Sequence, residues 1–136
     1  MQLHRNLASL KSSGETARAV TVGAYDGLHL GHQEILRQLT ERGRSEGLST
    51  LVLSFEPMPK EFFSPDNPPA RLTRFRERFD LLAQYGIDEF FCPGFNSIRG
   101  LSPDAFIRDL LVDGLRAKQV VVGHDFRFAS GRLGTL

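Results

Sequence analysis

The chain has 136 residues, 40% of them hydrophobic and 24% charged, a balance that suits one folded domain and excludes a disordered chain. Lys and Arg total 17 against 16 Asp and Glu, so the net charge of +1 makes no charge-based case for nucleic acid or a membrane surface. The single cysteine, Cys92, excludes an internal disulfide framework and a cysteine zinc site; it lies in an apolar run and reads as a buried structural thiol.

Residues 1–18 are polar and lack the apolar core of a signal peptide, and no apolar run approaches the roughly 18 residues of a membrane-spanning helix. A reduced, cytoplasmic setting is expected. Leu3, Leu7 and Leu10 would pack a short N-terminal turn, and residues 11–15 read as a loop. Residues 19–23 form a short β-branched run closed by Gly23, which predicts a buried strand. A glycine-spaced turn follows (Gly23, Gly27, Gly31), and from Gly31 the spacing of Ile35, Leu36 and Leu39 predicts a helix that Gly43 or Gly47 would stop. Residues 49–55 are the clearest second strand, ended by Pro57 and Pro59. A Pro/Phe-rich loop of about fifteen residues then runs to Ala70, a length that tends to be functional or mobile.

Thr73 is the expected N-cap of a helix of roughly twelve residues with Phe75, Phe79 and Leu82 as its apolar stripe and Gly86 beyond its end. Arg71, Arg74, Arg76 and Arg78, interleaved with Glu77 and Asp80, read as a solvated helix face. Residues 87–92 predict a third strand. Ser102-Pro103-Asp104 is an N-cap, a proline at the first helical position and an acid in the first turn, leading to a buried face of Phe106, Ile107, Leu110 and Leu111 that Gly114 ends. Residues 119–123 predict a fourth strand, followed by a loop through His124, Asp125, Phe126, Arg127 and Phe128.

Strand alternates with helix throughout, so the fold class is α/β: a Rossmann-like, doubly wound parallel sheet covered on both faces. Ligands of such sheets bind beyond the carboxyl ends of the strands. The loops after strands one, two and four would open on that edge together. A further crossover helix and strand are expected after Leu136, so residues 1–136 read as one domain lacking its last elements.

The turn after the first strand is the part that speaks of chemistry. A helix N-terminus with glycines before it presents backbone N–H groups to a phosphate. The spacing is neither Gly-x-Gly-x-x-Gly nor a P-loop, and the P-loop lysine is missing. Its place is taken by His29-Leu30-Gly31-His32, where both imidazoles can face one anion; the alternative is two surface or capping histidines. A zinc site is disfavoured, because His4 and His124 are distant in sequence. Asp26 is either a turn residue or a group that orients the loop or helps hold Mg²⁺.

Residues 23–32, Gly-Ala-Tyr-Asp-Gly-Leu-His-Leu-Gly-His, resemble the Gly-x-Phe-Asp-Gly-x-His-x-Gly-His signature of bacterial FAD synthetases, within the wider nucleotidylyltransferase superfamily. Residues 55–63, Arg71-Leu72-Thr73 and residues 122–128 are similar to three further segments of that family, in order along the chain. The resemblance is to the N-terminal adenylyltransferase domain of the bifunctional riboflavin kinase/FMN adenylyltransferases. It implies Mg²⁺-dependent transfer of AMP from ATP to FMN, giving FAD and pyrophosphate, in a parent whose C-terminal riboflavin kinase domain is absent here. It implies catalytic roles for His29 and His32, ATP contacts at Gly23, Asp26, Gly27 and Gly31, and flavin contacts at Pro57, Pro59, Phe62, Asp125 and Phe128, with no protein metal site. The alternative for Phe126 and Phe128 is plain core packing, and Arg127 would pair with a carboxylate. Tyr25 stands where the family has Phe, Met58 where a histidine is usual, and Ala129 where glycine is common. The family's later Ser-Ser-Thr-x-x-Arg segment, which contacts the ATP phosphates, does not occur in these residues. Two alternatives follow: a flavin- or nucleotide-binding module without turnover, or a nucleotidylyltransferase for another mononucleotide.

Overall fold

The computed structural model describes residues 1–12, 16–23, 25, 30–54, 75–94, 100–123, 127–128 and 134–135. In chain order the elements are β1 (Gln2–His4), α1 (Leu7–Ser12), β2 (Arg18–Val22), α2 (Leu30–Glu46), β3 (Ser49–Leu53), α3 (Phe75–Gln84), β4 (Glu89–Phe91), α4 (Pro103–Ala105, continuing as a π-helix over Phe106–Gly114), β5 (Ala117–Val120), β6 (Arg127–Phe128) and β7 (Gly134–Thr135). Five strands form one sheet in the order β1-β4-β3-β2-β5, every pair parallel. The parallel α/β sheet expected from the alternation is therefore the observed fold.

Side chains of successive strand residues point to opposite faces, and the core divides accordingly. Val20, Val22, Leu51, Leu53 and Phe91 bury one face under α1 and α4, through Leu10, Phe106, Leu110, Leu111 and Leu115. Ala19, Val52 and Phe90 bury the other under α2 and α3, through Leu36, Leu39 and Leu82. From β2 the chain steps outward to β3 and then β4, with α2 and α3 on one face. It then crosses the opposite face through α4 to reach β5, on the far side of β2. The order reverses between β2 and β5, and that switch point is where an open parallel sheet leaves a crevice at its carboxyl edge.

Several local expectations shift. The sequence did not announce β1: Gln2-Leu3-His4 is short and has no β-branched residue, and it becomes a strand only because the edge of β4 is there to pair with it. Gly43 lies inside α2, which runs on to stop at Gly47, where φ is +66°. Gly86 closes α3 with φ +79°, as expected of a glycine past a helix end. Ser102 caps α4 by accepting a hydrogen bond from the Ala105 N–H at 3.2 Å.

Two expectations are overturned. Ile107 is not on the buried face of α4 but 46% exposed. The helix widens after Phe106, with the Leu115 N–H bonding the Leu110 carbonyl five residues back. In that wider turn Phe106, Leu110, Leu111 and Leu115 share a face and Ile107 rotates off it. Arg78 is not on a solvated face but wholly buried, its Cζ 5.7 Å from the ring centroids of both Phe75 and Phe90. It sits three residues after Phe75 and four before Leu82, so it belongs to the apolar stripe by position. Arg76 does face solvent, 3.4 Å from Asp80, whereas Arg71 and Arg74 lie outside the described residues. Cys92 is buried, as expected, with Arg78 Nη2 3.9 Å from its sulfur.

Candidate active site

Because the sheet is parallel, β2, β3 and β5 all end on one edge, side by side. Pairing continues a residue beyond each strand: Gly23 N–H donates to the Leu53 carbonyl at 3.0 Å, Val121 N–H to the Val20 carbonyl at 2.9 Å, and Ser54 N–H to the Phe91 carbonyl at 2.9 Å. Past this point β2 turns into α2, whose first turn carries Gly31 and His32. The exit of β5 lies against the same helix, since a Cβ at Gly123 would sit 3.7 Å from Ile35 Cδ1. The structure thus brings Gly23, Gly31 and His32 to the β2/β5 switch point. Phe128 falls in β6, which pairs antiparallel with β7 in a separate two-stranded ribbon. His29, Asp26, Gly27, Pro57, Pro59, Phe62 and Asp125, together with Met58 and Ala129, lie outside the described residues.

The described part of the site is built around Tyr25, which the sequence marks only as standing where the resembled signature has Phe. Tyr25 is 2% exposed and has φ +54°, a left-handed backbone that bulky residues rarely adopt. Its Oη lies 2.5 Å from Thr21 Oγ1, on the buried face of β2. Burial raises its pKa to about 12, against a smaller lowering from the Thr21 hydrogen bond, so the phenol is neutral at physiological pH. Its ring centroid lies 4.8 Å from that of His32, with the rings tilted by 43°. Gly23 also acquires a reason: a Cβ there would come within 3.0 Å of Tyr25 Cε2. The space a side chain would take at Gly23 is filled by the Tyr25 ring.

His32 is half-buried in the N-terminal turn of a 17-residue helix, the positive end of the helix dipole, which favours an anion. Gly31 beside it is exposed. Backbone N–H groups, glycine and imidazole make a donor set suited to phosphate oxygens.

The opposite edge is of different character. There a shallow cavity is lined by Gln2, Thr16, Ser49, Asp88 and Glu89. Glu89 accepts from Arg18 Nε at 2.7 Å, Arg18 Nη2 at 3.1 Å and Ser49 Oγ at 2.9 Å, with His4 Nε2 at 3.2 Å. Arg18 Nη1 also donates to the Leu115 carbonyl at 3.0 Å. Burial pushes the Glu89 carboxyl up, but its hydrogen bonds with Arg18 and Ser49 and the charges of Arg18 and His4 outweigh that and hold it below the usual carboxylate range. This amino edge is a structural lock: its cations are satisfied internally and its carboxylates would repel a phosphate. Among the described residues no group of three or more His, Cys, Asp or Glu gathers as a metal cluster, and no helix is long and apolar enough to cross a membrane.

Comparison with known proteins gives a consistent result. The FAD synthetase family model matches residues 11–136. The chain is 43% identical over 135 residues to the bifunctional riboflavin kinase/FMN adenylyltransferase of Escherichia coli K12, covering 98% of this chain and 43% of that protein. It is 42% identical to the protein of the same name from Pseudomonas fluorescens, again over 98% and 43% of the two chains. The Buchnera aphidicola protein of the Acyrthosiphon pisum host is 38% identical, over 100% and 44%. The chain thus spans less than half the length of these relatives. Among solved structures, a Streptococcus pneumoniae protein described as a macrolide-efflux protein superposes with a TM-score of 0.73 at 25% identity, over 96% of this chain and 43% of that one.

Proposed function

The chain belongs to the FAD synthetase family, and from that membership we propose that it is the FMN-adenylylating domain of a longer protein whose remainder phosphorylates riboflavin. It would join AMP from ATP to FMN in FAD biosynthesis, in the cytoplasm. A phosphate oxygen of FMN attacks the α-phosphorus of ATP in line. The bond from that phosphorus to the α–β bridging oxygen breaks, and pyrophosphate leaves with the bonding pair. No covalent enzyme intermediate is required, so the protein's task is to align the two phosphates and to stabilise the charge that grows on the leaving oxygens.

His32, with His29 as its expected companion, would donate to those oxygens, and the positive end of the α2 dipole would favour the phosphates beside Gly23, Asp26, Gly27 and Gly31. Mg²⁺ would be held chiefly by the phosphates, its ordinary mode in such sites, and neutralise their charge. Pro57, Pro59, Phe62, Asp125 and Phe128 are the proposed flavin contacts, with apolar and aromatic groups against a flat heterocycle. The observation that carries this reading is His32 in the first turn of α2, beside the switch point of the sheet, in a chain matched to the family over residues 11–136.

The test is to supply the longer protein with Mg-ATP and FMN and to separate FAD and pyrophosphate. His32→Ala should lower FAD formation by roughly 10²–10³-fold, the loss expected of one preorganised donor, and leave riboflavin phosphorylation near normal. Undiminished FAD formation by that variant would refute the role given to His32. Flavin binding without turnover would favour a binding module, and turnover of another mononucleotide a different transferase.

A further inference from the structure

Three observations meet at Tyr25 and are not needed by the reaction just described. Its backbone is left-handed, at φ +54°, in a residue with a full aromatic side chain. Such a conformation persists only where the surroundings over-determine it, and it clusters at working sites. Its hydroxyl is tied to Thr21, a wholly buried residue in the interior strand β2, at 2.5 Å. Its ring lies against His32, 4.8 Å between centroids, while Gly23 leaves the room in which that ring sits.

We propose that Tyr25 is the positioning residue for His32: anchored to β2 through Thr21, its ring forms the wall that fixes the orientation of the imidazole. This rests on the adenylyl-transfer role of His32. A donor that must turn into place during the reaction loses part of its advantage, so the orientation of the imidazole matters. The route Thr21–Tyr25–His32 runs from a strand buried on both faces to the reacting edge. A Phe at this position, as in the signature resembled, would keep the wall and lose the anchor. The ring folds back against the end of β2, beside Gly23 and Thr21.

The experiment uses the longer protein with Tyr25→Leu, Tyr25→Phe and Tyr25→Met. Two readouts are taken: steady-state FAD formation, and the NMR signals of the His32 ring in the free protein, assigned by their loss in His32→Gln. Tyr25→Leu should lower kcat by about 10- to 100-fold and leave KM for ATP and FMN within about twofold, because misorientation affects the transition state more than ground-state binding. Tyr25→Phe should recover most of that loss, and the His32 signals should move strongly in the first variant and little in the second. A folded Tyr25→Leu protein with wild-type kcat, or with only KM raised, overturns the proposal. Where Tyr25→Leu does not fold, Tyr25→Met decides: it fills much of the space without a flat ring, and wild-type kcat with unmoved His32 signals overturns the proposal. If the wild-type protein forms no FAD, the adenylyl-transfer role fails on its own, and the His32 signals still decide whether Tyr25 holds that ring.

Discussion

Replacing Glu89 by Gln removes the one negative charge in a buried cluster while keeping its shape. Glu89 receives Arg18 through two nitrogens, at 2.7 and 3.1 Å, and Ser49 at 2.9 Å, with His4 at 3.2 Å. Arg18 is only 1% exposed, so its guanidinium cannot turn to water when the carboxylate is gone. Its remaining hydrogen bond to the Leu115 carbonyl does not balance a full charge. Breaking one side of a buried ion pair costs about 3–5 kcal/mol, a large share of the roughly 5–15 kcal/mol that holds a domain together. With a urea slope of about 2 kcal/mol/M, the unfolding midpoint at pH 7 should fall by about 2 M. A fall of less than about 0.5 M, near 1 kcal/mol, would refute the view that this cluster locks the amino edge.

The same cluster predicts how that difference depends on pH. The folded Glu89 carboxyl is held below its unfolded value, so its contribution is fully present above the unfolded carboxylate pKa of about 4.3 and is lost as pH falls through the folded value. The gap between wild type and Glu89→Gln should therefore close as the pH falls into the acid range. The double variant Arg18→Met/Glu89→Leu should be more stable than either single variant, because it removes both charges from the interior together.

Other positions carry smaller tests. Gly43→Ala should destabilise by about 1–3 kcal/mol in urea unfolding despite alanine's better helix propensity, since the new Cβ would lie 2.7 Å from Thr50 Cγ2 and 3.0 Å from the Leu48 carbonyl oxygen. Ser102→Ala should cost about 1 kcal/mol, the worth of one N-cap, measured the same way. Leu110→Ala should cost about 2–5 kcal/mol, whereas Ile107→Ala should change stability by less than about 1 kcal/mol; equal losses would show that the widened turn of α4 does not form.

What the sequence by itself determined was the element types and the direction of the sheet. Runs such as Ser49–Leu53 and caps such as Ser102 encode their own structure, because β-branched or apolar blocks and hydroxyl caps act over a few residues. Alternation of strand and helix then left a parallel sheet with its loops on one edge, and the start of the helix that carries His32 was legible as lying there. Tertiary structure decided what needs partners distant in the chain. Gln2–His4 is a strand only because β4 lies beside it, and Arg78 is interior only because the stripe it shares with Phe75 and Leu82 packs onto Phe90 and Cys92. The charge pattern around Arg78 pointed outward; the periodicity, read with Arg78 included, points inward. Tyr25 looked like a neutral exchange for Phe in a glycine-spaced turn. Its left-handed backbone, its bond to Thr21 and its contact with His32 exist only once β2 and α2 are set side by side, because local propensity does not record which ring will fill the space beside Gly23.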